Sequence, residues 1–373
     1  MAHAQAIDVL VVGLGPAGAS AAAAAARGGA RGGARGGARG GARGGARVVA
    51  IDRKRVAGHP VQCAEVVPAL IGQQVPGLEA HRQQAIRAMT TFVEDQPPHL
   101  KEQFSGVMID RRAFDETLVA RAVEAGAETW FGLTLRGIDA DGTAQLSDGS
   151  RLNPRVIIGA DGPHSAVGAA VGIENTVLAD TRQMTVPLLE PFEETDIFLS
   201  RRLPGGYAWL FPKGGVANLG LGGDPRWREK FKPLLDDLHA QLAAQGRVGR
   251  DILGHTGGAI PSGGMLEPVA TIGGAHVLLA GDAAGLTNPI TGAGILAAVV
   301  SGEMAGDAAA ALAAGRADAA EIYRDDLTDM FQASLARAVA RRAALMRVHE
   351  TAREPAAADL RRAWIAFPEY WAA

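Results

Sequence analysis

Residues 7–12 are apolar and largely β-branched apart from Asp8 (Ile7, Val9, Leu10, Val11, Val12), a run that predicts a buried parallel strand stopping at Gly13. Gly13, Gly15 and Gly18 then fall at G-x-G-x-x-G spacing, with Pro16 and Ala17 opening a helix. An apolar strand running into glycine recurs twice. Residues 154–165, PRVIIGADGPHS, end in Gly159-Ala160-Asp161-Gly162. Residues 276–295, HVLLAGDAAGLTNPITGAGI, give a strand over 277–280, then Gly281-Asp282, a glycine-rich loop and a long helix from about Gly294.

Between these stretches the pattern predicts smaller elements. Residues 107–109 read as a strand, and Arg111 and Arg112 start a helix with Phe114, Leu118 and Ala122 on one face, ending at Gly126. Residues 130–135 read as a strand, and Asp141-Gly142 and Asp148-Gly149 as the turns of an antiparallel meander. The runs 184–189, 197–200, 207–211 and 216–222 alternate as an antiparallel sheet does, and 227–242 reads as a helix. After Gly294 the chain is Ala-rich and helical to about Arg347, and Trp364, Phe367, Tyr370 and Trp371 either pack back on the core or meet a membrane surface.

A length of 373 residues suits two domains, and a net charge of −3 removes any global electrostatic case for nucleic acid. The single cysteine, Cys63, excludes an internal disulfide framework and suits a reducing compartment. Residues 9–26 carry no charge, yet they are Ala/Gly-rich and contain Pro16, so a strand–turn–helix is expected and not a membrane span. Residues 1–7 hold no Lys or Arg, which argues against a signal peptide.

Residues 27–46 are five tandem RGGA units. A dinucleotide fold wants an acidic residue about 20 positions after the last glycine. The candidate, Asp52, is 34 positions after Gly18; four of the five units account for 16, leaving 18. The array therefore reads as a tolerated surface insertion. Its paired glycines cost about 1 kcal/mol each inside a helix, so a loop or a frayed, irregular helix is expected. RNA binding by the array is the least favoured reading, because no Phe or Tyr is interleaved.

The chemistry follows from the glycine stretches. Gly13 permits the tight turn, Gly15 lets backbone approach a pyrophosphate, Gly18 lets helix and strand pack, and the helix N-terminus at Pro16 and Ala17 attracts phosphate. Asp52, with Arg53 beside it, is the candidate for ribose hydroxyls. Asp161 and Gly162, Gly281 and Asp282, and Gly292, Gly294 and Ile295 are candidates for further contacts to the same cofactor. Arg111 is either a surface charge or a partner for an anionic phosphate. His59, His81 and His99 lack metal-ligand spacing, so no metal is expected. Cys63, on sequence grounds, reads as a small buried hydrophobe in a loop. Tyr207, Trp209 and Phe211 alternate onto one face, which is either core or the wall of an apolar pocket.

Gly13–Gly18, Gly159–Gly162 and Gly281-Asp282 with residues 289–295 resemble the three FAD motifs of the para-hydroxybenzoate hydroxylase-like flavoproteins. Within that group, residues 60–65 (PVQCAE) and 206–214 (GYAWLFPKG) resemble the geranylgeranyl reductase family, over roughly residues 7–323. Two departures are the RGGA array and Val66-Val67, where family members commonly carry a glycine. The resemblance implies an α/β fold: a three-layer Rossmann-type FAD domain (1–174 and 271–315), an inserted antiparallel-sheet substrate domain (175–270) and a helical C-terminus (316–373). It implies FAD as cofactor, Cys63 near the isoalloxazine, and reduction of prenyl double bonds by hydride from reduced flavin. The substrate is then an apolar small molecule or lipid, and the electron donor NAD(P)H or a reduced carrier protein. The location is cytoplasmic, with peripheral membrane contact left open. Cys63 and Tyr207 are the catalytic candidates, and Tyr207, Trp209 and Phe211 the pocket candidates. An aromatic monooxygenase on the same scaffold is the alternative, followed by a flavin-dependent halogenase.

Overall fold

The computed structural model describes residues 4–33, 46–351 and 353–372. Gln5–Val12 lies at the centre of an eight-stranded sheet, parallel to Arg151–Gly159 on one side and to Val48–Asp52 on the other. Ala275–Leu279 and Glu128–Phe131 extend the parallel part outwards. The register brings the three glycine stretches together: Val12 pairs with Gly159, and Gly159 with Leu279. All three therefore leave the carboxyl edge of the sheet at one level, where open α/β sheets bind ligands.

The helix Pro16–Gly33 covers one face of this sheet and packs tightly on Ile295–Ala313. Glycine makes that contact possible, since a Cβ at Gly302 would lie 2.2 Å from the Ala17 carbonyl oxygen and one at Gly306 2.3 Å from that of Ala21. The array differs from expectation here, because the helix runs through the first glycine pairs to Gly33. A Cβ at Gly28 would lie 2.6 Å from Ala310 Cβ, so close packing offsets the low helix propensity of glycine. The rest of the array, up to residue 45, lies outside the described residues. Deleting residues 27–42 regenerates Arg27–Ala30 from the last unit and so restores Gly28 opposite Ala310. The shortened chain is expected to melt within about 1 kcal/mol of the full one, because loop length contributes only about 0.6 kcal/mol per doubling; thermal melts of the two proteins check this.

A second eight-stranded sheet holds Leu178–Pro187, Glu194–Leu199, Tyr207–Lys213 and Val216–Gly223. It also recruits Ala88–Val93 and His99–Lys101, with Ala88–Val93 running parallel to Glu194–Leu199. One face packs on the helix Phe231–Ala244 through Leu210, Leu219, Leu235 and Leu242. The other carries Ile197, Trp209 and Phe211 against Trp364 and Phe367, so the C-terminal aromatics pack back on the core, with Trp371 alone of the four left exposed.

Three further expectations are corrected. The strand over 130–135 is two, Glu128–Phe131 and Leu135–Ile138, because Gly132 turns the chain at φ +78°. The helix over 227–242 begins as a 3₁₀ segment, Pro225–Lys230, with Trp227 out of helical geometry, and becomes α-helical only at Phe231. The C-terminal helix is interrupted at Gly315 (φ +93°) before Ala319–Leu327 and Ala333–Glu350. Ile295–Ala313 is the one described helix apolar and long enough to cross a membrane, and 56% of the apolar window is buried in the fold.

Candidate functional site

Backbone packing explains two of the three fingerprint glycines. A Cβ at Gly13 (φ +95°) would lie 2.3 Å from the Ala160 carbonyl oxygen, and one at Gly18 only 1.7 Å from the Gly13 carbonyl oxygen. Gly15 is different: a Cβ there would meet nothing within 4 Å. No protein contact demands glycine at this position, and the space in front of it borders a helix N-terminus whose first N–H groups have no intrahelical acceptor. Pro16 donates none of its own. Asp52 closes the other side of the loop, accepting from Leu14 N at 2.7 Å and Lys54 N at 2.7 Å. Arg53 is exposed beside it.

The second stretch caps a helix. Asp161 accepts from Ser165 Oγ at 2.5 Å and Ala166 N at 2.7 Å, and burial pushes its carboxyl up from the ordinary range. Gly162 (φ +86°) faces open space. In the third stretch Gly281 (φ +60°) fits between Ala17 and Ala298, with Cβ contacts of 3.0 and 3.3 Å. Asp282 accepts from Thr287 Oγ1 at 2.6 Å. Burial pushes its carboxyl up, against that hydrogen bond and the Arg111 charge. Gly292 (φ +68°) and Gly294 shape the turn before Ile295, the first residue of the long helix; a Cβ at Gly294 would lie 2.4 Å from Thr287 Oγ1.

Arg111 joins this edge to the loop at Cys63. Its guanidinium forks onto Asp115, at 2.7 and 3.2 Å. Burial opposes its charge, but Asp115 and the Cys63 sulfur outweigh burial and hold it above the ordinary range. Cys63 is half-buried, and its sulfur accepts from Glu65 N at 3.1 Å. The loop is bound residue by residue to the second sheet: Thr256 Oγ1 donates to Val61 O at 2.7 Å, Gln62 Nε2 to Gly257 O at 3.0 Å, Gln183 Nε2 to Cys63 O at 3.3 Å and Asn218 Nδ2 to Ala64 O at 3.2 Å.

Glu65 is the hub that reasoning from sequence missed. Buried, with φ +69°, its carboxylate accepts from Lys213 Nζ at 2.6 Å, Asn218 Nδ2 at 3.0 Å and Arg111 N at 3.1 Å. Lys213 continues the row Tyr207–Trp209–Phe211 and turns inward to this carboxylate. The three aromatics form a ladder, with ring centroids 5.6 Å and then 6.0 Å apart. Tyr207 also packs on Trp364 at 4.7 Å. Its hydroxyl donates to Thr291 O at 2.6 Å, in the loop of the third stretch, and burial keeps the phenol protonated well above its ordinary range. Among the described residues no cluster of His, Cys, Asp and Glu is arranged to hold a metal ion.

The chain is 32% identical over 325 residues to digeranylgeranylglycerophospholipid reductase 1 of Methanopyrus kandleri, covering 81% of this chain and 80% of that protein. The chain belongs to the geranylgeranyl reductase family. The fold agrees: a geranylgeranyl bacteriochlorophyll reductase-like protein of Thermoplasma acidophilum superposes with a TM-score of 0.80 at 24% identity, over 92% of this chain and 88% of that one. The myxobacterial chondrochloren halogenase CndH, a FAD-dependent enzyme, superposes with a TM-score of 0.64 at 16% identity, over 89% and 82%. No family model matches the chain. This member of the geranylgeranyl reductase family is an oxidoreductase, and its fold is one that FAD-dependent enzymes share. The open side at Gly15, which a side chain would fill, suits a dinucleotide pyrophosphate.

Proposed function

We propose that this enzyme reduces carbon–carbon double bonds of an isoprenoid chain, with FAD held along the carboxyl edge of the first sheet. The observation that carries the reading is the level alignment of three glycine stretches with free space at Gly15. In this assignment Gly13, Gly15, Pro16, Ala17 and Gly18 receive the pyrophosphate, and Asp52 and Arg53 the adenosine half. Arg111, Asp161, Gly162, Gly281, Asp282, Gly292, Gly294 and Ile295 line the remainder, and Cys63 faces the ring. Residues 1–174 and 271–315 then form the flavin domain, apart from the two strands lent to the sheet of 175–270; of the helical region 316–373, Ala319–Leu327 packs on the flavin domain, and Trp364 and Phe367 pack on that second sheet.

FAD bound there would supply, when reduced, the hydride for one alkene carbon, and a proton must reach the other. An isolated alkene polarises poorly, so the protein's part is to exclude water and place a proton donor. The ladder Tyr207–Trp209–Phe211 with Trp364 supplies the apolar surface. Tyr207 has given its hydrogen to Thr291 O, which favours Cys63, held by Glu65 N and beside Arg111, as the group nearest the chemistry. The electron donor is NAD(P)H or a reduced carrier protein; no nucleic acid takes part. The free thiol suits the reducing cytoplasm, and exposed Trp371 is the residue offered to a membrane surface. The test is rapid mixing of dithionite-reduced enzyme with geranylgeranyl phosphate without oxygen. Wild type is expected to reoxidise, and Cys63→Ala to do so on the order of 100-fold more slowly, as the loss of a placed acid gives. A Cys63→Ala enzyme that keeps its flavin and the full rate removes Cys63 from the chemistry.

A further inference from the structure

Arg342 lacks what other buried charges in this protein have. It lies on the helix Ala333–Glu350 and is 6% exposed. Its Nε and Nη2 are sealed and make no hydrogen bond to any described group. Arg111 and Arg247, also largely buried, each hold a carboxylate at 2.7 Å. The carboxylate whose field reaches Arg342 is Asp224, but both its oxygens are taken by Arg226, at 3.0 and 3.1 Å. Burial pushes the Arg342 guanidinium down from its ordinary range, with Asp224 only partly opposing. A buried guanidinium without a partner is costly, and such groups in native proteins mark a ligand, an ion or bound water.

The surroundings say what kind of ligand. His349, seven residues on, has its Nε2 likewise sealed and without a partner. Positions 342, 346 and 349 share one helix face. Opposite them is Gly205, whose Cβ position lies 3.0 Å from Arg342 Nη2 and 2.7 Å from Met346 Sδ. Gly205, in the turn that leads into the strand Tyr207–Lys213, is two residues before Tyr207. Tyr207 stacks on Trp209 and Trp364 and reaches Thr291 in the loop of the third glycine stretch. A line therefore runs from that loop, through the packed rings of Tyr207, Trp209 and Trp364, to two unsatisfied nitrogen-bearing side chains.

We infer that Arg342 receives the phosphate ester of a prenyl phosphate or prenylated phospholipid, whose chain lies along the row led by Tyr207. The inference rests on the prenyl reading above. A planar guanidinium fork matches phosphate oxygens in a way that water or an alcohol does not.

The test measures binding of geranylgeranyl phosphate and geranylgeraniol to the flavin-loaded enzyme by equilibrium dialysis, with inorganic phosphate as a third probe. Wild type is expected to prefer the phosphate ester over the alcohol by about 10-fold or more, a preference Arg342→Gln abolishes and Arg342→Lys, lacking the fork, cuts by about half or more. Without ligand Arg342→Gln is expected to melt no lower than wild type, since it removes an unpaired buried charge. A preference retained by Arg342→Gln, or by Arg342→Lys where the Gln variant does not fold, overturns the assignment. So does inorganic phosphate competing as well as the ester, which means a free-anion site. If wild type binds and is reoxidised by both prenyl compounds without preference, only Arg342 is misassigned; if it accepts neither, the prenyl reading itself falls.

Discussion

A Gly15→Val protein is expected to fold and purify colourless, whereas Gly18→Ala is expected not to fold stably. The two glycines share one fingerprint, but the structure separates their duties. A methyl at Gly18 would lie 1.7 Å from the Gly13 carbonyl oxygen, a backbone atom held in the turn, so strand and helix must part. Overpacking of this kind costs about 3 kcal/mol or more. At Gly15 nothing lies within 4 Å of the added carbon, so the apoprotein has room for valine. The same methyls fill the space through which a pyrophosphate approaches the helix N-terminus. Losing two charge-assisted hydrogen bonds of about 1.5 kcal/mol each weakens flavin binding on the order of 100-fold. Flavin absorbance per folded chain, with circular dichroism as the check on folding, reads both results. A yellow Gly15→Val protein would remove the pyrophosphate from this loop.

Lys213→Met is expected to lower stability by about 3 kcal/mol, the scale for removing one partner of a buried ion pair. Lys213 and Glu65 lie 2.6 Å apart with side chains 19% and 8% exposed, so little solvent remains to stabilise Glu65 alone. Asn218 Nδ2 and Arg111 N still reach the carboxylate, which keeps the loss at the low end of that scale. Because Glu65 N also holds the Cys63 sulfur, the loosened loop is expected to slow alkene-dependent reoxidation roughly 10-fold. Adding Glu65→Gln should recover a third or more of the lost stability by removing the stranded charge, giving a coupling of about 1 kcal/mol or more in the double-mutant cycle. Urea unfolding of the four proteins measures it; strictly additive losses would show that the pair is not coupled.

What the sequence made legible was local. Each glycine stretch is a strand end and a turn within about a dozen residues, so period, spacing and backbone freedom suffice to read it. Glu65 stood in a quoted motif without a role, because its partners Lys213 and Asn218 are 148 and 153 positions away. Ala88–Val93 gave no sign of its parallel neighbour Glu194–Leu199, since a crossover leaves no local signal. The array was read from the propensity of glycine, and packing on Ala310 overrode it. Asp161 is a strand-tip acid by pattern, yet its carboxylate is engaged by Ser165 and Ala166, bonds that only the folded turn reveals. Arg342 is a member of an ordinary Ala/Arg-rich helix until burial shows that it lacks a partner.

The central claim is that the flavin of this enzyme hands its electrons to an isoprenoid double bond. Reduced enzyme incubated with geranylgeranyl phosphate under strict exclusion of oxygen, followed by mass spectrometry of the lipid, tests it most directly. The account predicts reoxidised flavin and a product heavier by two hydrogens for each bond reduced, as hydride addition plus protonation requires. A flavin that stays reduced with every alkene offered, but with oxygen turns over and leaves an oxygen atom in an aromatic compound, would contradict it and make the protein a monooxygenase on the same fold.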